Sequence, residues 1–110
     1  MFSGCTSLTT VPSNLLPATT LATGCYQGMF SDCTSLTTIP NLPATTLADS
    51  CYSDMFNGCS SLTTVPSNLL PATTLADYCY SSMFYGCTSL TTLPDLPATT
   101  LAEYCYLYMF

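Results

Sequence analysis

The chain has 110 residues, nearly half of them apolar, with no Lys, Arg or His and six acidic residues, giving a net charge of −6 and a pI near 4.1. Nothing in it can neutralise phosphate, which makes nucleic acid and anionic membrane surfaces poor partners. Its apolar residues fall in short groups and never approach the run of roughly 18 that a membrane helix requires, so no span is expected.

Met-Phe recurs at Met1, Met29, Met55, Met83 and Met109, dividing the chain into four coils, 1–28, 29–54, 55–82 and 83–108, with 109–110 opening a further one. Lengths alternate 28, 26, 28, 26. The longer coils carry Val-Pro-Ser-Asn-Leu-Leu-Pro where the shorter carry Ile-Pro-Asn-Leu-Pro or Leu-Pro-Asp-Leu-Pro, so the full repeat is a 54-residue pair and every second coil bulges by two residues. A period in this range is the signature of stacked units that cannot bury their apolar side alone. The single repeat array reads as a window of a longer one, because neither end carries a polar cap. No signal peptide is visible, which is uninformative for a window that begins mid-array.

In chain order, each coil opens on an aromatic, a Gly (Asp32 in the second coil) and a Cys, then runs through an extended piece rich in Thr. Leu8 to Val11, Leu36 to Ile39, Leu62 to Val65 and Leu90 to Leu93 read as strands of a parallel sheet, each ended by a proline that lacks an amide donor. A Pro-bounded turn and extended return follow, as from Pro66 to Thr74, with Leu69, Leu70, Ala72 and Leu75 as inward anchors. Thr46 with Asp49, Thr74 with Asp77 and Thr100 with Glu103 then read as capping boxes, in which the hydroxyl and the carboxylate satisfy each other's backbone amides. Thr20 with Thr23 is the degenerate copy. Beyond the cap, Leu47, Ala48, Cys51, Tyr52, Met55 and Phe56 form a doubled i, i+4, i+8 stripe that predicts a helix of about ten residues. Gly58, Gly4 and Gly86 supply a left-handed stop, with Asp32 in the fourth equivalent place.

The run Phe-x-Gly-Cys-Thr-Ser-Leu-Thr-Thr-[Val/Ile/Leu]-Pro, as in Phe84 to Pro94, resembles the leucine-rich repeats of the BspA type found in bacterial and protist surface proteins. The resemblance covers all four coils and rests on the Cys-x-x-Leu strand and the aromatic before Gly-Cys. It implies an α/β leucine-rich-repeat solenoid and a role in surface display, adhesion or binding of host and matrix proteins. The family's strand usually runs two residues further before its proline, and the Leu-Pro-Ala-Thr-Thr-Leu-Ala and Cys-Tyr-x-x-Met-Phe segments mark a variant, so no partner is carried over.

The eight cysteines form two columns, Cys5, Cys33, Cys59 and Cys87 before the strand and Cys25, Cys51, Cys79 and Cys105 in the predicted helix. A constant spacing of eight across the stop favours pairs Cys25–Cys33, Cys51–Cys59 and Cys79–Cys87. Such pairs require the chain to fold back at the glycine, because an unbroken helix holds them about 12 Å apart, beyond the roughly 7 Å limit of a disulfide. Two ladders of buried free thiols are the alternative, since Cys packs as a small apolar residue. Zinc is disfavoured by the absence of His and of close Cys-x2-Cys spacing. Calcium on Asp49, Asp77 and Glu103 would need six to eight oxygens, and capping already employs those carboxylates.

Without His or Lys, a Ser or Cys nucleophile has no base to activate it, so no enzyme and no cofactor are expected. Coil-to-coil differences gather on the outward face and add Tyr78, Tyr85, Tyr104 and Tyr108 to the repeated Tyr26, Tyr52, Tyr80 and Tyr106. Those four are the candidate contact surface, because an exposed Tyr offers a flat apolar face with a polar tip; covering the helix or filling the space between coils is the plainer role. Three functions follow. The leading one is a structural solenoid, extracellular or at the cell surface, that forms a fibre, stalk or filament with copies of itself or further repeats end to end. The second is an adhesin or binding module for a glycan or a host or matrix protein. The third, remote, is ice binding by the paired threonines Thr9-Thr10, Thr37-Thr38, Thr63-Thr64 and Thr91-Thr92, rows that could equally carry O-linked sugars.

Overall fold

A computed structural model describes all 110 residues. The path closes on itself every 26 or 28 residues, and successive coils lie against one another within a body of 36 × 24 × 21 Å. The α/β leucine-rich-repeat architecture is not what forms: there is no helix, and only four residues lie in a β-bridge, Thr20 with Thr46 and Thr74 with Thr100, both parallel. Those bridges fall in the Ala-Thr-Thr return, whereas the predicted Leu-Thr-Thr strands are not strands at all.

Where a helix was expected, each coil makes a ribbon of overlapping four-residue turns, over 22–33, 48–59, 76–87 and 102–109. In the first ribbon Cys25, Gln27, Met29, Ser31 and Cys33 each donate to the carbonyl three residues back, at 3.1–3.2 Å. The residues between them, Gly24, Tyr26, Gly28, Phe30 and Asp32, donate instead to Asp49, Cys51, Ser53, Met55 and Asn57 of the next coil, at 2.7–3.0 Å. The shorter bonds are thus those between coils. Every fourth residue is left-handed: Gly24, Gly28 and Asp32, then Ser50, Asp54 and Gly58, then Tyr78, Ser82 and Gly86, then Tyr104 and Tyr108, with φ between 51° and 77°. Each is the third residue of its turn, the place where a type II turn requires positive φ. No helix can pass through such a position, because each left-handed residue costs an L-amino acid about 1–2 kcal/mol and turns the chain out of the helical path.

The stripe that predicted a helix is a four-residue period, and a true helix would drift by about 40° at each four-residue step. The ribbon does not drift, and the stripe still faces inward. Phe30, Phe56 and Phe84 are buried, as are Met29, Met55 and Met83, so the apolar side chains form continuous internal columns. The phenylalanine column Phe2, Phe30, Phe56, Phe84, Phe110 stacks at 5.4–5.7 Å between ring centroids with planes within 3–11° of parallel. Tyr26, Tyr52, Tyr80 and Tyr106 stack likewise at 5.9–6.0 Å. Opposite this turn wall lies a second wall, made of the threonine pairs and the proline corner, and Leu36, Leu42, Leu62, Leu69 and Leu70 fill the space between the two.

Candidate functional site

The surface tyrosines come together in two pairs on the outer face of coils 3 and 4. Tyr78 and Tyr104 lie 5.1 Å apart and tilted by 33°; Tyr85 and Tyr108 meet edge to face at 6.3 Å. All four are exposed, Tyr108 the most at 67 %. Tyr85 and Tyr108 border a small hollow of about 190 Å³ with Asn57 and Ser82. Three of the rings sit on left-handed residues, Tyr78, Tyr104 and Tyr108, where coil 1 has Gly24 and Gly28. A bulky residue with positive φ is uncommon and strained. In contrast Tyr52 and Tyr80 are buried within their column, and burial pushes both phenols well above their ordinary range. The Tyr52 hydroxyl has no hydrogen-bond partner.

All eight cysteines are free thiols, and none of the pairs Cys25–Cys33, Cys51–Cys59 or Cys79–Cys87 is bonded. The first column is instead a hydrogen-bond ladder: Cys33, Cys59 and Cys87 donate through Sγ to the carbonyls of Phe2, Phe30 and Phe56 in the coil before, at 3.0–3.2 Å. Each of those carbonyls also accepts the amide of its own coil's cysteine, Cys5 on Phe2, Cys33 on Phe30 and Cys59 on Phe56. Burial pushes Cys51 and Cys87 up to about 11 and Cys59 and Cys79 up to about 12, so these thiols stay protonated, Cys59 and Cys87 keeping the proton they donate.

The acidic residues do not cap helices, there being none. Asp49 accepts the backbone amide of Asp77 at 3.2 Å, and Asp77 accepts that of Glu103 at 2.9 Å. Each carboxylate therefore fastens its coil to the one below, a role that a Thr-x-x-acid pattern cannot reveal because the partner is 26 or 28 residues away. No three His, Cys, Asp or Glu side chains converge to hold a metal ion. No helix is long and apolar enough to cross a membrane.

On the second wall the paired threonines are exposed in rows. Thr37 and Thr91 donate through Oγ1 to the carbonyls of Thr9 and Thr63, at 3.1 and 3.0 Å. The proline corner beside them carries two clefts that sequence reasoning missed. One, of about 210 Å³, lies between coils 1 and 2 beside Asn14, Leu16 and Asn41; the other, of about 420 Å³, lies between coils 2 and 3 beside Asn41, Leu42, Asn68 and Leu69. The alternation of 28 and 26 residues was the only signal available for them. The two ends of the stack are also hollowed. Met1, Phe2, Leu15, Leu16 and Tyr26 border an apolar depression at one end, and Phe84, Leu90, Leu93 and Phe110 border another at the opposite end.

No protein-family model, curated protein or solved structure matches this chain. The functional reading therefore rests on the residues themselves.

Proposed function

We propose that the protein is a structural element without catalytic activity, extending end to end by the addition of further coils, of its own chain or of another copy, into a filament or stalk outside the cell or at its surface. One observation carries this reading: positions buried within the stack lie open at its ends. Leu75 is 6 % exposed and its counterpart Leu101 is 60 %; Val65 is 7 % and Leu93 is 60 %. At the other end Cys25 is exposed, whereas Cys51 below it is fully buried.

The backbone supports the same reading. Tyr78, Tyr80 and Ser82 donate their amides to the coil below, and the corresponding amides of Tyr104, Tyr106 and Tyr108 have no such coil. On the first coil the carbonyls of Thr23, Cys25 and Gln27 stand where those of Asp49, Cys51 and Ser53 accept. Donors at one end and acceptors at the other make a head-to-tail contact that does not close on itself, and an uncovered row of this kind is a template for another chain. Electron micrographs of concentrated protein should show thin filaments of uniform width, and Leu101→Glu should disperse them by placing a charge on the end face. Dispersed particles from the unsubstituted protein at all concentrations would remove the proposal.

A second reading, a binding module for a glycan or a surface protein, draws on the strained and exposed Tyr78, Tyr104 and Tyr108. Strained residues persist where the surroundings fix them, often at binding surfaces. Saturable retention on a glycan or matrix-protein array that is lost in a Tyr104→Ser, Tyr108→Ser variant would promote it over the first.

A further inference from the structure

We infer that the coil pair is the mechanical unit of this fold, and that the junction between coils 2 and 3 is a built-in hinge, fastened along the turn wall and free to open along the threonine wall. Along the turn wall this junction is as complete as any other: Phe30 and Asp32 donate to Met55 and Asn57, and Ser50, Tyr52 and Asp54 to Asp77, Cys79 and Ser81, at 2.7–3.0 Å.

Along the threonine wall the junctions differ. Between coils 1 and 2, Thr37, Asn41 and Thr45 donate to Thr9, Ser13 and Thr19, and Leu21 donates to Thr46, at 2.9–3.1 Å. Between coils 3 and 4 the same set recurs, with Thr91, Asp95 and Thr99 on Thr63, Ser67 and Thr73, and Leu75 on Thr100, at 2.8–3.0 Å. Between coils 2 and 3 not one of these bonds is made: the amides of Thr63, Ser67 and Thr73 meet no carbonyl of coil 2, and Leu47 donates nothing to Thr74. The other contacts follow the same alternation. Both β-bridges join coils within a pair, and so do the threonine hydroxyl bonds of Thr37 and Thr91. The corner cleft at the unpaired junction, about 420 Å³, is twice the size of the one inside the first pair.

The cause lies in the two extra residues of the long coils. A short coil donates back to the long coil before it, the excess being absorbed between Ser13 and Thr19 or between Ser67 and Thr73, where the offset falls from 28 to 26. A long coil makes no such return to the short coil before it. What closes the threonine side there is apolar burial alone, of Leu42 and Ala44 above and Leu69, Leu70 and Ala72 below. Apolar contact is non-directional and tolerates a change of angle, whereas a ladder of directed hydrogen bonds does not. Bending therefore concentrates at this junction, with the turn wall as its pivot, and a longer array of the same pairs would flex once every 54 residues.

Amide hydrogen exchange on the unsubstituted protein, at a dilution where it is monomeric, tests the hinge apart from any end-to-end assembly. Thr63, Ser67 and Thr73 should exchange at least 100-fold faster than Thr37, Asn41, Thr45, Thr91, Asp95 and Thr99, while Ser50, Tyr52 and Asp54 stay as protected as Gly24, Tyr26 and Gly28. Equal protection of Thr63 and Thr73 with Thr37 and Thr99 would overturn the proposal, since the junction would then be closed. Loss of protection at Tyr52 and Asp54 together with Thr63 would overturn it too, because the pairs would then part instead of turning on a pivot.

Discussion

The two walls of the stack are formed by one chain climbing at one rate, yet the turn wall is hydrogen-bonded at every coil junction and the threonine wall only at alternate ones. Length accounts for the difference. The segment from the Ala-Thr-Thr return to the Cys of the next coil has the same number of residues in every repeat, so each amide finds its carbonyl; the corner after Val-Pro or Ile-Pro differs by two residues, and there the match fails once per pair. Every junction joins a long coil to a short one, and the order decides: the ladder forms where the short coil follows the long one and is missing where the long coil follows the short one.

The widest contrast between the walls should be thermodynamic. Phe56 is completely buried and stacked between Phe30 and Phe84 at 5.6 Å on either side. Phe56→Ala would break the column at its centre and should cost about 3–5 kcal/mol in denaturant unfolding. A loss below about 1 kcal/mol would mean that the column is not what holds the turn wall.

Alkaline pH sharpens the comparison, because the buried thiols flank the turn wall. A thiol whose value is raised by folding stabilises the protein fully below the unfolded value near 9. That contribution is lost as pH rises through the folded values of about 11 for Cys51 and Cys87 and about 12 for Cys59 and Cys79. Stability should thus fall between pH 9 and 12, by on the order of 3 kcal/mol for Cys51 or Cys87 and about 4 kcal/mol for Cys59 or Cys79. Iodoacetamide labelling without reductant, read by intact mass, checks this: the exposed Cys5 and Cys25 should label first and all eight cysteines once the fold opens. Residues that refuse label in the unfolded chain would reveal disulfides and remove the thiol ladder.

The smallest effect separates the two kinds of junction on the threonine wall. Thr37→Val deletes a hydroxyl bond that crosses a coil pair and should cost about 0.5–1.5 kcal/mol. Thr63→Val, at the junction where no such bond is made, should fall within about 0.5 kcal/mol of the unsubstituted protein. Equal losses for both would erase the distinction between paired and unpaired junctions.

The sequence by itself determined the period, the pairing of a long with a short coil, the inward columns and the left-handed residues at Gly4, Asp32, Gly58 and Gly86, because each is written in recurrence or in residue type. It could not decide between helix and turn ribbon, since a stripe such as Leu47, Cys51, Met55 fits both and the choice depends on where the intervening amides go. Those amides, of Ser50, Tyr52 and Asp54, bond to residues 27 positions further along, and only stacking brings such partners within reach. The same holds for the carboxylates of Asp49 and Asp77, which serve the next coil and not their own. Hydrogen bonds between coils link residues far apart in sequence, so the tertiary structure alone assigned secondary structure here.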